Sequence, residues 1–253
     1  MTATSSDHRD AAAIATEAGQ LLVALRASML AAAADPQDLR AEGDRSSHEF
    51  IVAALAAAHP DDAVLSEEGA DDPVRLAAER VWIVDPLDGT REFGEAGRTD
   101  WAVHVALAIA GAVTAAAVAL PARELTLTAS PAAALAAASD GAPRIVVSRT
   151  RPPAIAEQLA ERLDGELVPL GSAGAKAMAV VLGDADVYAH SGGQYEWDSA
   201  APVGVAAAAG LHVSRLDGSP LLYNRPQPWL PDLLICRPEL RDAVLAVTQN
   251  QPN

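Results

Sequence analysis

The chain has 253 residues and sets 18 Lys plus Arg against 34 Asp plus Glu, a formal net charge of −16. A surface of that sign repels duplex nucleic acid and anionic membrane alike, since both are bound through Lys and Arg. The hydrophobic half of the composition excludes a disordered chain, and the single cysteine, Cys236, excludes an internal disulfide and a cysteine-based zinc site.

At roughly 100–200 residues per domain, the length suits one large unit or two small ones. Residues 1–10 are polar and lack the apolar core of a secretory signal. Apolar residues at Ile14, Ala18, Leu21, Leu22 and Leu25 predict a long amphipathic helix over 10–33, stopped by Asp35-Pro36. A second helix is expected from Ser46 or Ser47 to His59. Short strands follow at 63–65 and 81–84. The stretch 101–122 has no charged side chain when His104 is neutral and is long enough to cross a bilayer. Its alternation of Val103, Val105, Leu107 and Ile109, broken at Gly111, instead predicts two buried strands of a soluble, cytoplasmic protein. Another strand is expected at 125–128.

The run from Ser130 to Pro143 is rich in Ala, Gly and Pro and reads as a boundary between subdomains 1–135 and 143–253 of one catalytic unit. Beyond it the pattern alternates: strand 144–147, helix 153–163, strand 166–170, helix 174–182, strand 186–189, helix 198–209, strand 233–235 and a last helix from Pro238. The class is α/β.

The acids are unevenly placed. Residues 61–100 hold twelve Asp and Glu against four Arg. Within them a buried strand, Val81-Trp82-Ile83-Val84, runs into Asp85-Pro86-Leu87-Asp88-Gly89-Thr90. Asp85 and Asp88 can present oxygens to one hard cation, with the Leu87 carbonyl between them. Gly89 and Thr90 offer backbone N–H groups where a helix begins, a site suited to phosphate. An ordinary Asp-Pro turn is the competing reading.

Upstream, Glu67-Glu68-Gly69 also follows a short strand, so two strand ends could bring Glu67, Asp85 and Asp88 together. A solvated surface pair is its ordinary reading. Asp198, before Ser199-Ala200-Ala201, reads as a helix N-cap that can still lend an oxygen to a metal. Gly171-Ser172-Ala173-Gly174-Ala175-Lys176 opens a helix with small residues, and Lys176 is the only lysine beside seventeen arginines. It suits a phosphate ligand at a helix N-terminus.

Glu67-Glu68, the run 85–90 and Trp197-Asp198 together resemble the metal-site signature of the inositol monophosphatase-like, lithium-sensitive, magnesium-dependent phosphatases. Arg91-Glu92-Phe93, the loop at 171–176 and Glu196-Trp197-Asp198 are similar to the 3'(2'),5'-bisphosphate nucleotidase (CysQ) branch, actinobacterial type. The resemblance implies a layered αβαβα sandwich, a homodimer and two to three Mg²⁺ per site. Glu67, Asp85 and the Leu87 carbonyl would hold one metal. Asp85, Asp88 and Asp198 would hold a second, and Glu67 with water a weaker third. Thr90 would orient the attacking water together with Asp44.

Gly89, Thr90, Gly171, Ser172, Lys176 and Asp198 would contact substrate. The segment around Asp44 is shorter than the family's, and Ser148-Arg149-Thr150-Arg151 departs from its usual Ser-Arg-Ser-His. The implied reaction is removal of the 3'-phosphate of adenosine 3',5'-bisphosphate, and of the corresponding phosphosulfate, by metal-activated water. Inositol monophosphate and fructose 1,6-bisphosphate are the alternative substrates, and a sugar-phosphate enzyme is the alternative reading. A non-catalytic metal- or nucleotide-binding regulator is a reading of another class.

Overall fold

A computed structural model describes residues 2–137 and 141–249. Among the described residues two five-stranded sheets and seven α-helices build a stack of five layers. Helix α1 (Ser5–Ala31) starts on a Thr4–Asp7 capping box, in which the Thr4 N–H donates to Asp7 at 2.7 Å and the Asp7 N–H to Thr4 at 3.2 Å. It buries Ala11, Ile14, Ala15, Ala18 and Leu22 on one stripe.

Helix α2 (Pro36–Ala58) begins a full ten residues before the expected position. Asp35 is its N-cap, accepting from the Gln37 N–H at 2.7 Å, and Pro36 stands at the first helical position. Proline fixes a helical φ there and lacks only an N–H that would be orphaned anyway. The Asp-Pro pair that ends one helix therefore starts the next, and Asp44 lies on a helix. Its buried stripe, Leu39, Gly43, Ser47, Ile51 and Leu55, repeats every four residues.

The first sheet runs β1 (Ala63–Ser66), β2 (Arg80–Asp88), β3 (Ala102–Ile109), β4 (Ala112–Leu120) and β5 (Leu125–Thr128); only β1 and β2 are parallel. The expected strands at 101–122 are β3 and β4, joined at Gly111. Alternation sends Trp82, Val84, Val103, Val105 and Leu107 toward α1 and α2, and Val81, Ile83, Ala102 and Ala106 into the molecule's middle layer.

The second sheet has the order β7-β6-β8-β10-β9, formed by β6 (Arg144–Ser148), β7 (Glu166–Leu170), β8 (Val187–Tyr195), β9 (His212–Ser214) and β10 (Trp229–Cys236). Helices α4 (Ala154–Leu163) and α7 (Arg241–Thr248) cover its outer face. Between the sheets lie α5 (Ala173–Leu182) and α6 (Glu196–Ala208), packed against strands of both. Small residues permit this approach: a Cβ on Gly204 of α6 would stand 2.6 Å from the Ala116 Cβ of β4. The layers are thus helix, sheet, helix, sheet, helix.

Strand β9 is too short and mixed to have been expected. Of the boundary stretch 130–143, residues 138–140 lie outside the described residues. Among the described residues no helix is long and apolar enough to cross a membrane.

Candidate metal centre and active site

Residues three apart on a regular strand point to opposite faces. Asp85 and Asp88 escape this because β2 carries a bulge. Asp85 pairs with His104, but Asp88 pairs with Ala102, so three steps on β2 match two on β3. The extra residue resets the alternation and puts both carboxylates on the inner face. The 85–88 segment is therefore a bulged strand end, where the sequence suggested a turn after residue 84.

Helix α2 fixes the bulge from behind. The Ser47 hydroxyl donates to the Pro86 carbonyl at 2.7 Å, and a Cβ on Gly43 would stand 2.7 Å from the Phe93 ring. Gly89, at φ 87°, turns the chain from β2 into α3 (Thr90–Gly94), a conformation few other residues tolerate.

Asp198 completes a set of three. It is the third residue of α6 and not its N-cap, which is Tyr195 three positions earlier, because β8 runs on to Tyr195 and α6 starts at Glu196. Its Oδ2 reaches back to accept the Tyr195 N–H at 2.7 Å. One oxygen each from Asp85, Asp88 and Asp198 lies within 4.8 Å of the others. Burial, then Asp88, raises the Asp198 pKa to about 6. Burial, then Glu67, Asp88 and Asp198, raises that of Asp85 well above the ordinary range.

Glu67 is exposed at the mouth, but its carboxyl reaches inward to share a hydrogen bond with Asp85. Burial there, opposed by that hydrogen bond and joined by the charges of Asp198, Asp88 and Glu68, pushes its pKa up to about 7. Crowded carboxylates that resist ionising together fit a hard divalent cation, and the all-oxygen donor set suits Mg²⁺ better than a soft metal.

Asp88 differs from its neighbours. Burial opposes its charge, yet His104, Lys176 and Ser172 outweigh that and hold its pKa below the usual carboxylate range. Its partners come from the start of α5: the Ser172 hydroxyl at 2.5 Å, the Gly174 N–H at 2.6 Å and the Ala173 N–H at 3.0 Å. The helix N-terminus that the sequence offered to a phosphate is turned onto Asp88 instead. The Gly171 N–H likewise donates to Asp100 at 2.6 Å. Lys176 is buried, and its ammonium donates to the Ser172 carbonyl at 2.5 Å and the Gly171 carbonyl at 3.4 Å. It holds the loop that holds Asp88 and borders the adjoining cavity.

His104 is a residue the sequence did not single out. Fully buried on β3, it sets Nε2 3.2 Å from Asp88 Oδ2 and Nδ1 3.0 Å from the Trp197 carbonyl. It thereby ties the bulge of β2 to the residue before Asp198. The signal was present: a histidine in the inward register of β3, where Ala102, Ala106 and Ala108 are otherwise the rule.

On the other side of the bulge the Thr90 hydroxyl lies 3.1 Å from Asp44 Oδ1 and 3.0 Å from the Leu87 carbonyl. Burial, then Glu68, raises the Asp44 pKa to about 6 against the opposing bond from Thr90. Beside this pair is a cavity of about 240 Å³ lined by Gly89, Thr90, Arg91, Arg149, Arg151, Ser172 and Lys176. Glu92 lines it as well, and Arg149 is ion-paired with Glu92 and Glu95, each at 2.6 Å, so the positive side chains gathered there are partly neutralised. A larger groove of about 530 Å³ between α1 and β5 is lined mainly by Ala, Val, Thr and Pro, away from these groups.

The layered sandwich agrees with the solved structures that the chain resembles. Residues 6–251 match the inositol monophosphatase family, to which this protein belongs. It is 52% identical over 249 residues to a 3'-phosphoadenosine 5'-phosphate phosphatase of Mycobacterium leprae, covering 94% of this chain and 91% of the relative. It is 33% identical over 201 residues to the 3'(2'),5'-bisphosphate nucleotidase CysQ of Escherichia coli, covering 74% of this chain and 80% of that one. Among solved structures, CysQ from Bacteroides thetaiotaomicron superposes with a TM-score of 0.78 at 28% identity, over 92% of this chain and 97% of that chain.

Proposed function

We propose that this protein is a Mg²⁺-dependent 3'(2'),5'-bisphosphate nucleotidase that hydrolyses the 3'-phosphate of adenosine 3',5'-bisphosphate, yielding AMP and phosphate. The corresponding phosphosulfate is a second substrate. One observation carries the phosphatase chemistry: three carboxylates converge within 4.8 Å of one another while the Asp44–Thr90 pair follows from the same bulge. The choice of a nucleotide substrate rests on the 52% identity to the phosphatase of that name.

In this reading Asp85, Asp88 and Asp198 hold a cation, Glu67 and the Leu87 carbonyl extend the site to a second, and Glu67 serves a third. Mg²⁺ supplies charge neutralisation of the phosphate and a lowered pKa of water. Thr90 Oγ1 donates its hydrogen bond to Asp44 Oδ1, which turns a lone pair toward the attacking water. As the water attacks, its proton passes to Thr90 and that of Thr90 to Asp44, and the leaving 3'-oxygen takes a proton from solvent. Asp44 is the anionic end of this chain, and Glu68 beside it helps set the pH at which it ionises. The Gly89 and Thr90 amides orient the phosphoryl oxygens. Ser172 fixes an Asp88 oxygen directly, and Gly171 and Lys176 act one step back, by anchoring the loop that carries Ser172 to Asp100 and to its own carbonyls. The arginine-lined cavity receives the rest of an anionic substrate. A cytoplasmic homodimer inhibited by Li⁺ completes the proposal.

Phosphate release is the test, with Mg²⁺ and a panel of adenosine 3',5'-bisphosphate, inositol 1-phosphate and fructose 1,6-bisphosphate. The nucleotide should have the highest kcat/KM, and Li⁺ should inhibit. Preference for inositol 1-phosphate would overturn the substrate and keep the phosphatase; binding without turnover would leave a regulator.

A further inference from the structure

We propose that Tyr195 and Trp229 form a stacking platform for the nucleobase of the substrate, backed by Trp197. The inference deepens the proposed function and rests on it for the identity of the ligand. The chain has only nine aromatic residues of the Phe, Trp and Tyr type. Trp82, Trp101, Phe93, Tyr188 and Tyr223 are buried, and Phe50 and Trp197 are half-buried. The two that remain, Tyr195 and Trp229, are each 45% exposed, and they adjoin each other.

Tyr195 stacks on Trp197 with ring centroids 4.6 Å apart and planes 8° from parallel. Trp229 meets Tyr195 at 5.1 Å and 82°, so the exposed rings form an open corner. That corner is built rather than loose. Trp229 is the register partner of Tyr195 across β8 and β10. Its indole lies against Gly193, where a Cβ would stand 1.7 Å from Cζ2. Gly192 and Gly193 have φ of 97° and 86°, and the Gly193 carbonyl is held 2.9 Å from His190 Nε2.

Position gives the platform its meaning. The Tyr195 N–H is hydrogen-bonded to Asp198 Oδ2, and the Trp197 carbonyl to His104, so the backbone that carries the two stacked rings is tied to the carboxylate cluster assigned to the reacting phosphate. Water exposure of two large rings has a cost that a planar apolar ligand face removes, and every base has such a face. In adenosine 3',5'-bisphosphate the base and the 3'-phosphate are substituents of the same ribose. A site that grips one presents the other a few ångströms away. Inositol and fructose phosphates have no such face to offer, so the platform would separate nucleotide from sugar ester.

The test is binding of AMP and of ribose 5-phosphate to the full chain with Mg²⁺ present, followed by calorimetry. Wild type should bind AMP more tightly, and Tyr195→Ala and Trp229→Ala, taken separately, should each reduce that preference by roughly 10- to 100-fold. Tyr195→Phe should keep it, because only the ring is required. A wild type with no preference for AMP would overturn the platform, as would a preference untouched by both alanine variants. A shift from dimer to monomer with the preference intact would overturn it in favour of an interface between copies. The AMP preference can hold in a protein that fails to hydrolyse adenosine 3',5'-bisphosphate; that outcome supports the platform and defeats only the proposed reaction.

Discussion

Asp44 and Thr90 are separated by 46 residues, yet the Thr90 hydroxyl donates to Asp44 Oδ1 at 3.1 Å. Helix α2 makes the contact possible because it begins at Pro36 and so carries Asp44 and Ser47, one turn apart, over the β2 bulge. Ser47 holds the bulge through the Pro86 carbonyl, and Asp44 reaches the hydroxyl beyond it.

Asp44→Asn should therefore lower kcat by about 100- to 10,000-fold, the usual range for a lost general base, with KM within a few-fold. Its pKa of about 6 gives a sign. The ionised form accepts the Thr90 proton, so wild-type kcat should rise with pH through about 6, and Asp44→Asn should lose that limb. A pH–rate profile of both proteins checks it; an unchanged limb in the variant places the titration elsewhere.

Metal binding should release protons. Glu67 and Asp198 have pKa values raised to about 7 and about 6, and burial with its acidic neighbours raises that of Asp85 well above the ordinary carboxylate range. A cation displaces those protons, so Mg²⁺ affinity should fall as pH drops from 8 to 5. Calorimetry in buffers of different ionisation enthalpy reads the proton count directly. Mg²⁺ at 100 times its Kd should stabilise the fold by about 2.7 kcal/mol, and a chelator should reverse the rise in Tm.

Gly174→Ala is expected to cost about 1–3 kcal/mol, the range for overpacking a filled core. Its Cβ would stand 2.1 Å from His104 Nε2, and His104 is fully buried with no room to withdraw. Urea denaturation measures the loss. Because His104 and the Gly174 N–H both address Asp88, Mg²⁺ affinity should drop as well.

Stability should also report on Asp7. Burial alone would raise its pKa, but hydrogen bonds from Arg80 and Thr4 outweigh it and hold the value at about 2. A carboxyl depressed in the folded state contributes above its unfolded pKa and loses that contribution as pH falls through the folded one. Asp7→Asn should therefore cost about 2 kcal/mol at neutral pH. The gap to wild type should close between pH 4 and pH 2, as followed by denaturation across that window.

Much of the fold was legible in the pattern of residues. Strict alternation in 103–109 outweighed the length of an uncharged segment, since a membrane helix has no reason to alternate. Strand 166–170 also follows from the local pattern, whereas the last strand begins at Trp229, four residues before its expected start. The start of α2 does not follow from that pattern, because Asp-Pro serves equally as a stop and as a start, and only the packing of Leu39 and Gly43 against the bulge region decides between them. Asp198 fell two residues inside its helix for a similar reason: β8 and α6 extend further than their apolar cores.

The site divides along the same line. By itself the sequence singled out candidate side chains, because acids concentrated at strand ends in a protein with one lysine are conspicuous as residue types, and it passed over His104. Tertiary structure alone decided what each of them faces. A bulge of one residue put Asp85 and Asp88 on the same face, and the N-terminus of α5 closed on Asp88 rather than opening to a ligand. His104 acquired its place between Asp88 and Trp197 only when α6 packed on β3. Contacts between residues a hundred positions apart depend on register and layer packing, and neither is encoded in the spacing of neighbours along the chain.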